Sequence, residues 1–172
     1  MAITRLNHAV LYVVDADRSA AFYTEVLGFR RLPLEAPGAV FLQAPGSTND
    51  HDLGLFSIGE AGARPPGRRA TVGLYHLAWE VDTLDELERL AGALAAEHAL
   101  VGATDHGTTK SLYARDPDGI EFEVAWVVPA ELLDDEAREA GAHLRPLDMA
   151  MVKQRYGATT PGGVGVSIPA HI

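Results

Sequence analysis

A weak internal repeat constrains this chain more than any other feature. Leu6-Asn7-His8 leads through an apolar run to Val14-Asp15 and then into a helical pattern. Leu74-Tyr75-His76 leads in the same way to Val81-Asp82 and into another. Each half reads strand, helix, then several short strands, which is an α+β pattern in two like modules.

In the first half, residues 5–14 are rich in β-branched and aromatic residues and read as a strand. Asp15 or Asp17 is placed to cap a helix running to about Leu27, and Gly28 suits its C-terminal end. Shorter strands are expected at Phe29–Glu35, Ala39–Ala44 and Asp52–Ile58, and the Gly/Pro/Arg loop 59–69 divides the halves. In the second half Leu74–Val81 reads as a strand. Thr83-Leu84-Asp85-Glu86 matches a capping box, in which Glu86 reaches back to the cap. Leu84, Leu87, Leu90 and Leu94 follow at helical spacing through about Glu97. Strands are expected at Ala99–Thr104, Lys110–Arg115 and Ile120–Val128. Asp116-Pro117-Asp118-Gly119 is a type I turn signal that should join the last two as a hairpin. After Pro129 the character changes. Residues 130–140 look helical and acidic, and 157–172 lack periodicity, reading as a flexible tail or as an arm that packs on a partner chain.

Charge and composition exclude several functions. A formal net charge of −10 argues against a nucleic-acid partner, which wants clustered Lys and Arg. The one dense basic cluster, Arg64 to Arg69, reads as loop. Without cysteines, disulfides, thiolate metal sites and Cys nucleophiles are excluded. No segment approaches the roughly 20 apolar residues of a membrane span, and Asn7 and His8 interrupt the early apolar run where a signal peptide would need continuity. A soluble cytoplasmic protein is expected, with no membrane partner.

Three metal-capable side chains sit inside apolar strand-like runs: His8, His76, and a carboxylate at Glu121 or Glu123. Burying an imidazole or carboxylate in such a run costs stability unless something pairs with it. Two histidines and one carboxylate form the ligand set of a non-haem Fe(II) site that keeps coordination positions open. Alternation puts Glu121 and Glu123 on one face and does not choose between them. Packing of the repeats about a pseudo-two-fold axis would bring His8 and His76 together. The repeat also tests for a fourth ligand. Glu123 lies 47 residues after His76, and the same step from His8 reaches Leu55, where no carboxylate stands.

Together these segments resemble the vicinal oxygen chelate superfamily over about residues 3–128, and within it the single-domain type I extradiol (catechol 2,3-) dioxygenases. The resemblance implies two tandem βαβββ modules, about 3–58 and 72–128, forming a curved mixed sheet around a metal cleft. The domain would span 1–129, with a C-terminal helical and extended extension over 130–172. It selects Glu123 by its spacing from the DPDG turn, so that His8, His76 and Glu123 would bind Fe(II), or alternatively Mn(II) or another divalent metal. Asn49-Asp50-His51-Asp52, Asp105-His106-Gly107 and Tyr113, ten residues before Glu123, match further family positions. By resemblance His51 would be a general acid or base, Tyr113 would hydrogen-bond a substrate oxygen, and His106 would orient substrate or Tyr113. The implied reaction is extradiol ring cleavage of a catecholic substrate by dioxygen. The alternatives are a non-redox divalent-metal isomerase or lyase, and a metal-free protein that sequesters small molecules. Edge strands and the C-terminal arm make a homodimer the expected assembly.

Overall fold

The computed structural model describes residues 3, 5–34, 36–62, 72–140 and 144–163. The basic cluster Arg64–Arg69, Glu35 and the tail 164–172 lie outside the described residues. The chain divides into two units. One comprises residues 1–73 with the turn 116–119, and the other residues 74–115 and 120–172.

The first unit contains β1 (Ala9–Val13), α1 (Ala16–Glu25), β2 (Arg30–Arg31), β3 (Ala39–Gln43) and β4 (Leu53–Ser57). Its sheet has the order β1-β4-β3-β2, with β1 parallel to β4 and the other pairs antiparallel. Strand alternation splits the residues cleanly. Leu11, Val13, Val40, Leu42, Leu53 and Leu55 are buried on the side of α1, whose Ala16, Ala20 and Tyr23 are also buried. Val10 and Tyr12 point the other way and are 51% and 72% exposed. Of the two candidate caps, Asp15 does the work: its carboxylate accepts from the N–H groups of Asp17 and Arg18.

The turn 116–119 is seated on α1. Within it, Gly119 N–H donates to Asp116 O (2.9 Å) and Asp118 N–H to Asp116 Oδ1 (2.9 Å), as the turn signal predicts. The Asp118 carboxylate then accepts from Val14 N–H (3.2 Å), Ser19 Oγ (3.1 Å) and Arg18 Nη2 (2.5 Å). Tyr23 donates its hydroxyl to Asp116 Oδ2 at 3.3 Å.

The second unit repeats the plan and extends it. It contains β5 (Leu77–Glu80), α2 (Leu84–Ala96), β6 (Leu100–Asp105), β7 (Thr109–Arg115) and β8 (Glu121–Val127). A 3₁₀ turn (Ala130–Leu132), α3 (Asp135–Ala140), β9 (Arg145–Pro146) and α4 (Met149–Tyr156) follow. The sheet order is β5-β8-β7-β6-β9, with β5 parallel to β8. The four predicted leucines of α2 are all buried on the side of Leu112, Phe122 and Val124. Thr83 caps α2 by accepting from Glu86 N–H (3.2 Å), but the box is half formed, because the Glu86 carboxylate is held by Arg89 Nε and Nη2 instead.

Backbone pairing makes two open mixed sheets, one per unit, in the expected α+β plan. Two features differ from the sequence reading. The 130–140 helix is a 3₁₀ turn followed by the short α3, and α4 and β9 were not foreseen. Residues 157–163 lie against their own unit: Asp85 N–H donates to Ala158 O, Gly162 N–H to Asp82 O and Gly163 N–H to Val127 O. A Cβ at Gly162 would come within 3.1 Å of the Trp126 ring and 3.2 Å of Val81 O, so a larger residue would need these neighbours to give by a few tenths of an ångström. Lys153 of α4 pairs with Asp85 Oδ1 (2.6 Å) and with Glu88 on α2.

Two outcomes follow for the first unit. Asp118→Ala should lower stability by about 1–3 kcal/mol, because Val14 N–H and Ser19 Oγ lose a buried acceptor; urea melts of the variant beside wild type check this. Burial first, and then the charge of Asp116, push the Tyr23 phenol well above its ordinary range. Its unfolded value is near 10. The folded value is higher, so the stability it contributes is complete below about pH 10 and is lost as pH rises through the folded value. In alkaline titration, the phenolate absorbance that Tyr23→Phe removes should develop only as the circular dichroism of the fold is lost. Titration of that phenol near pH 10 with the fold intact would contradict the assignment.

Candidate functional site

In the second unit the site is built on β8, which runs between parallel β5 and antiparallel β7. Glu123 is registered with Ala78 on β5 and with Tyr113 on β7. Phe122, Val124 and Trp126 take the opposite face and are buried. His76 immediately precedes β5. Its Nε2 lies 3.1 Å from Glu123 Oε2, with the two side chains 24% and 13% exposed. Glu121, which alternation could not distinguish, is registered with Arg115 and lies 3.9 Å from its guanidinium.

This pair has two chemically different forms. With the imidazole proton on Nε2, it is a hydrogen bond. With the proton on Nδ1, a nitrogen lone pair and a carboxylate oxygen face the same point, an arrangement that a cation stabilises. Two donor atoms about 2.1 Å from one ion and at right angles stand about 3 Å apart, so the observed separation fits adjacent ligands. His76 Nδ1 is buried and has no hydrogen-bond partner among the described residues. The ring is therefore not locked into one tautomer from behind.

Tyr113 and His106 stand beside this pair. The His106 Nε2 and Tyr113 hydroxyl are 2.8 Å apart, and the Tyr113 ring is 5.9 Å from that of His76. Burial, and then the Glu123 charge, raise the Tyr113 phenol above its ordinary range. Tyr113 is thus a neutral hydrogen-bond donor at physiological pH. His106 lies in the β6–β7 turn, so a hairpin loop and the strand it feeds make the contact.

In the first unit His8 immediately precedes β1 and is exposed. Its Nδ1 lies 2.8 Å from Asn7 Oδ1. Donation from Nδ1 leaves the Nε2 lone pair available, the tautomer a metal ligand needs. Asn49 holds this segment. Its Nδ2 donates to Asn7 O (2.8 Å) and Asp52 Oδ1 (2.7 Å), while its Oδ1 accepts from Arg5 (2.6 Å). His51 precedes β4, with its ring 4.4 Å from the His8 ring and 5.2 Å from Phe41. Asp50, held below the usual carboxylate range by hydrogen bonds from His51, lies 3.3 Å from His51 Nδ1.

The two sheets also settle how the repeat aligns. Ala78 pairs with Glu123 in the second, and its counterpart Val10 pairs with Gly54 in the first. The residue equivalent to Glu123 is therefore Gly54, 46 residues after His8, and not Leu55, which is fully buried on the helix side. The β-carbon position at Gly54 is closed in by Val10, Phe41 and Phe56 at 3.4–3.5 Å. A glycine flanked by two aromatic rings stands where Glu123 stands in the second sheet.

The structure thus brings together His76 with Glu123, His106 with Tyr113, and His8 with His51. Among the described residues no three His, Asp or Glu side chains gather into a group able to hold a metal ion. Sequence reasoning missed Asn7 and Asn49. Asn7 adjoins His8 in sequence, whereas Asn49 reaches it only through a contact 42 residues distant. No described helix is long and apolar enough to cross a membrane.

Comparison with known proteins identifies the family. Residues 5–124 match the family model described as the glyoxalase/bleomycin resistance protein/dioxygenase superfamily. The chain is 33% identical over 139 residues to a biphenyl-2,3-diol 1,2-dioxygenase 3 of Rhodococcus globerulus, covering 78% of this chain and 71% of that protein. It is 30% identical over 122 residues to a catechol-2,3-dioxygenase of Bacillus subtilis, covering 70% of this chain but only 41% of the relative. A glyoxylase/bleomycin resistance protein/dioxygenase domain from Frankia shares the fold, with a TM-score of 0.60 and 24% identity, over 72% of this chain and 92% of that one. The two-module fold, the family match and the relatives agree: this chain belongs to the glyoxalase/bleomycin resistance protein/dioxygenase superfamily.

Proposed function

We propose that this protein is an Fe(II)-dependent dioxygenase that cleaves the ring of a small catecholic substrate, with His8, His76 and Glu123 as metal ligands. The observation that carries this reading is the approach of His76 Nε2 to Glu123 Oε2 at 3.1 Å beside the Tyr113–His106 pair. The relatives named as dioxygenases of aromatic diols support it. Ferrous iron held by two imidazoles and a carboxylate would supply open coordination positions and Lewis acidity toward adjacent oxygens.

The remaining chemistry falls to the chain's own side chains. The neutral Tyr113 phenol donates to a substrate oxygen, and His106 Nε2 holds that phenol in place. His51, its ring against His8, is the general acid or base, because imidazole exchanges protons near neutral pH. In this reading the protein works in the cytoplasm as a homodimer on an aromatic diol and dioxygen, without nucleic acid or membrane.

After anaerobic reconstitution with Fe(II) and desalting, wild type should retain stoichiometric iron, and His76→Ala and Glu123→Ala should lose it. Failure of folded wild type to retain iron counts against the metal centre, and retention of Mn(II) or another divalent ion with oxygen-independent turnover would point to an isomerase or lyase. Given iron, a panel of catechols should show oxygen uptake with ring-cleavage absorbance. Tyr113→Phe should keep its iron and lose kcat on the order of 100-fold. An unchanged kcat would remove Tyr113 from the chemistry.

A further inference from the structure

On β7, Ser111 and Tyr113 share the site face, and Lys110 and Leu112 take the opposite one. Lys110 is only 2% exposed. A lysine is almost never buried without a partner. This one donates from Nζ to Asp105 Oδ1 at 2.5 Å and to Gly107 O at 2.8 Å. Asp105 Oδ1 also accepts from Gly107 N–H at 2.7 Å. The residue between these two anchors is His106. Its N–H donates to Thr109 O and its carbonyl accepts from Thr108 N–H, both at 2.9 Å. The turn that aims His106 at the Tyr113 hydroxyl is therefore tied from behind by one buried ammonium group.

The C-terminal extension covers that group. Lys110 Nζ lies 5.3 Å from the centre of the Tyr156 ring, which closes α4 and rests 5.5 Å from Trp126. Burial lowers the Lys110 pKa, and Asp105 opposes this. An ammonium so enclosed depends on its two acceptors and on the aromatic face.

We propose that Lys110, enclosed by Tyr156 of α4, is a positioning residue that holds His106 against Tyr113, so that the C-terminal extension supports the site from the opposite face of the sheet. The role assigned to His106 rests on the dioxygenase reading; the structural coupling does not. The test reads the His106 Nε2 resonance in ¹⁵N-histidine-labelled protein, with Tyr113→Phe marking the position of a ring that has lost its partner. Lys110→Met and Tyr156→Ala should move the resonance toward that position while iron retention stays at the wild-type level. Tyr156→Phe, which keeps the ring, should leave it at the wild-type position. Ring cleavage in the two shifted variants should fall about tenfold in kcat, with little change in KM. Where Lys110→Met does not fold, the double variant Lys110→Met with Asp105→Asn removes the unpaired carboxylate and takes its place. A wild-type His106 resonance in folded Lys110→Met or its double variant, or in Tyr156→Ala, would overturn the proposal. Because the resonance is read without turnover, a shift in a protein that cleaves no catechol would refute the dioxygenase reading and leave this coupling standing.

Discussion

The register of β8 between β5 and β7 is the constraint on which the second unit depends. Strand side chains alternate with a period of two, so a slip by one residue would turn Glu123 under α2 and bring Phe122 or Val124 to the open face. The cost would fall on both sides, burying a carboxylate and exposing core residues. Parallel pairing with β5 sets Glu123 beside Ala78, just past His76, and antiparallel pairing with β7 sets it beside Tyr113. The turn 116–119 fixes the second of these pairings.

The two modules share a plan and divide the work. Corresponding positions hold Glu123 in one sheet and Gly54 in the other. The first sheet surrounds Gly54 with Phe41, Phe56 and Val10, and places two histidine rings in tilted contact at its edge. The second sheet keeps a carboxylate, an imidazole and a phenol together. Repetition thus supplies scaffold, and departure from repetition supplies chemistry.

The elements foreseen from sequence were those whose signals are local. The leucines of α2, the caps at Asp15 and Thr83, and the turn at Asp116 act within a few residues, where spacing alone carries the geometry. Element ends were less legible. β1 and β5 begin one residue after each histidine, where ladder pairing stops. The expected capping box formed by half, because Arg89 competes for Glu86 with two charge-assisted hydrogen bonds. The helix α4 was missed because its buried residues, Val152 and Tyr156, are too few to mark a helical stripe.

For the site, the sequence by itself determined the residue types and their place in the repeat: His8 and His76 in equivalent apolar runs, and a carboxylate in a third. Face and spacing follow from covalent geometry and a period of two, which any reader of the chain can count. Only the tertiary structure decided that Glu123 approaches His76 to 3.1 Å, that Gly54 and not Leu55 is its counterpart, and that Lys110 reaches the turn bearing His106. Each of these depends on which strand lies beside which, and in what register. That is set by cross-strand hydrogen bonds and by core packing between residues far apart in the chain, and no local pattern encodes it.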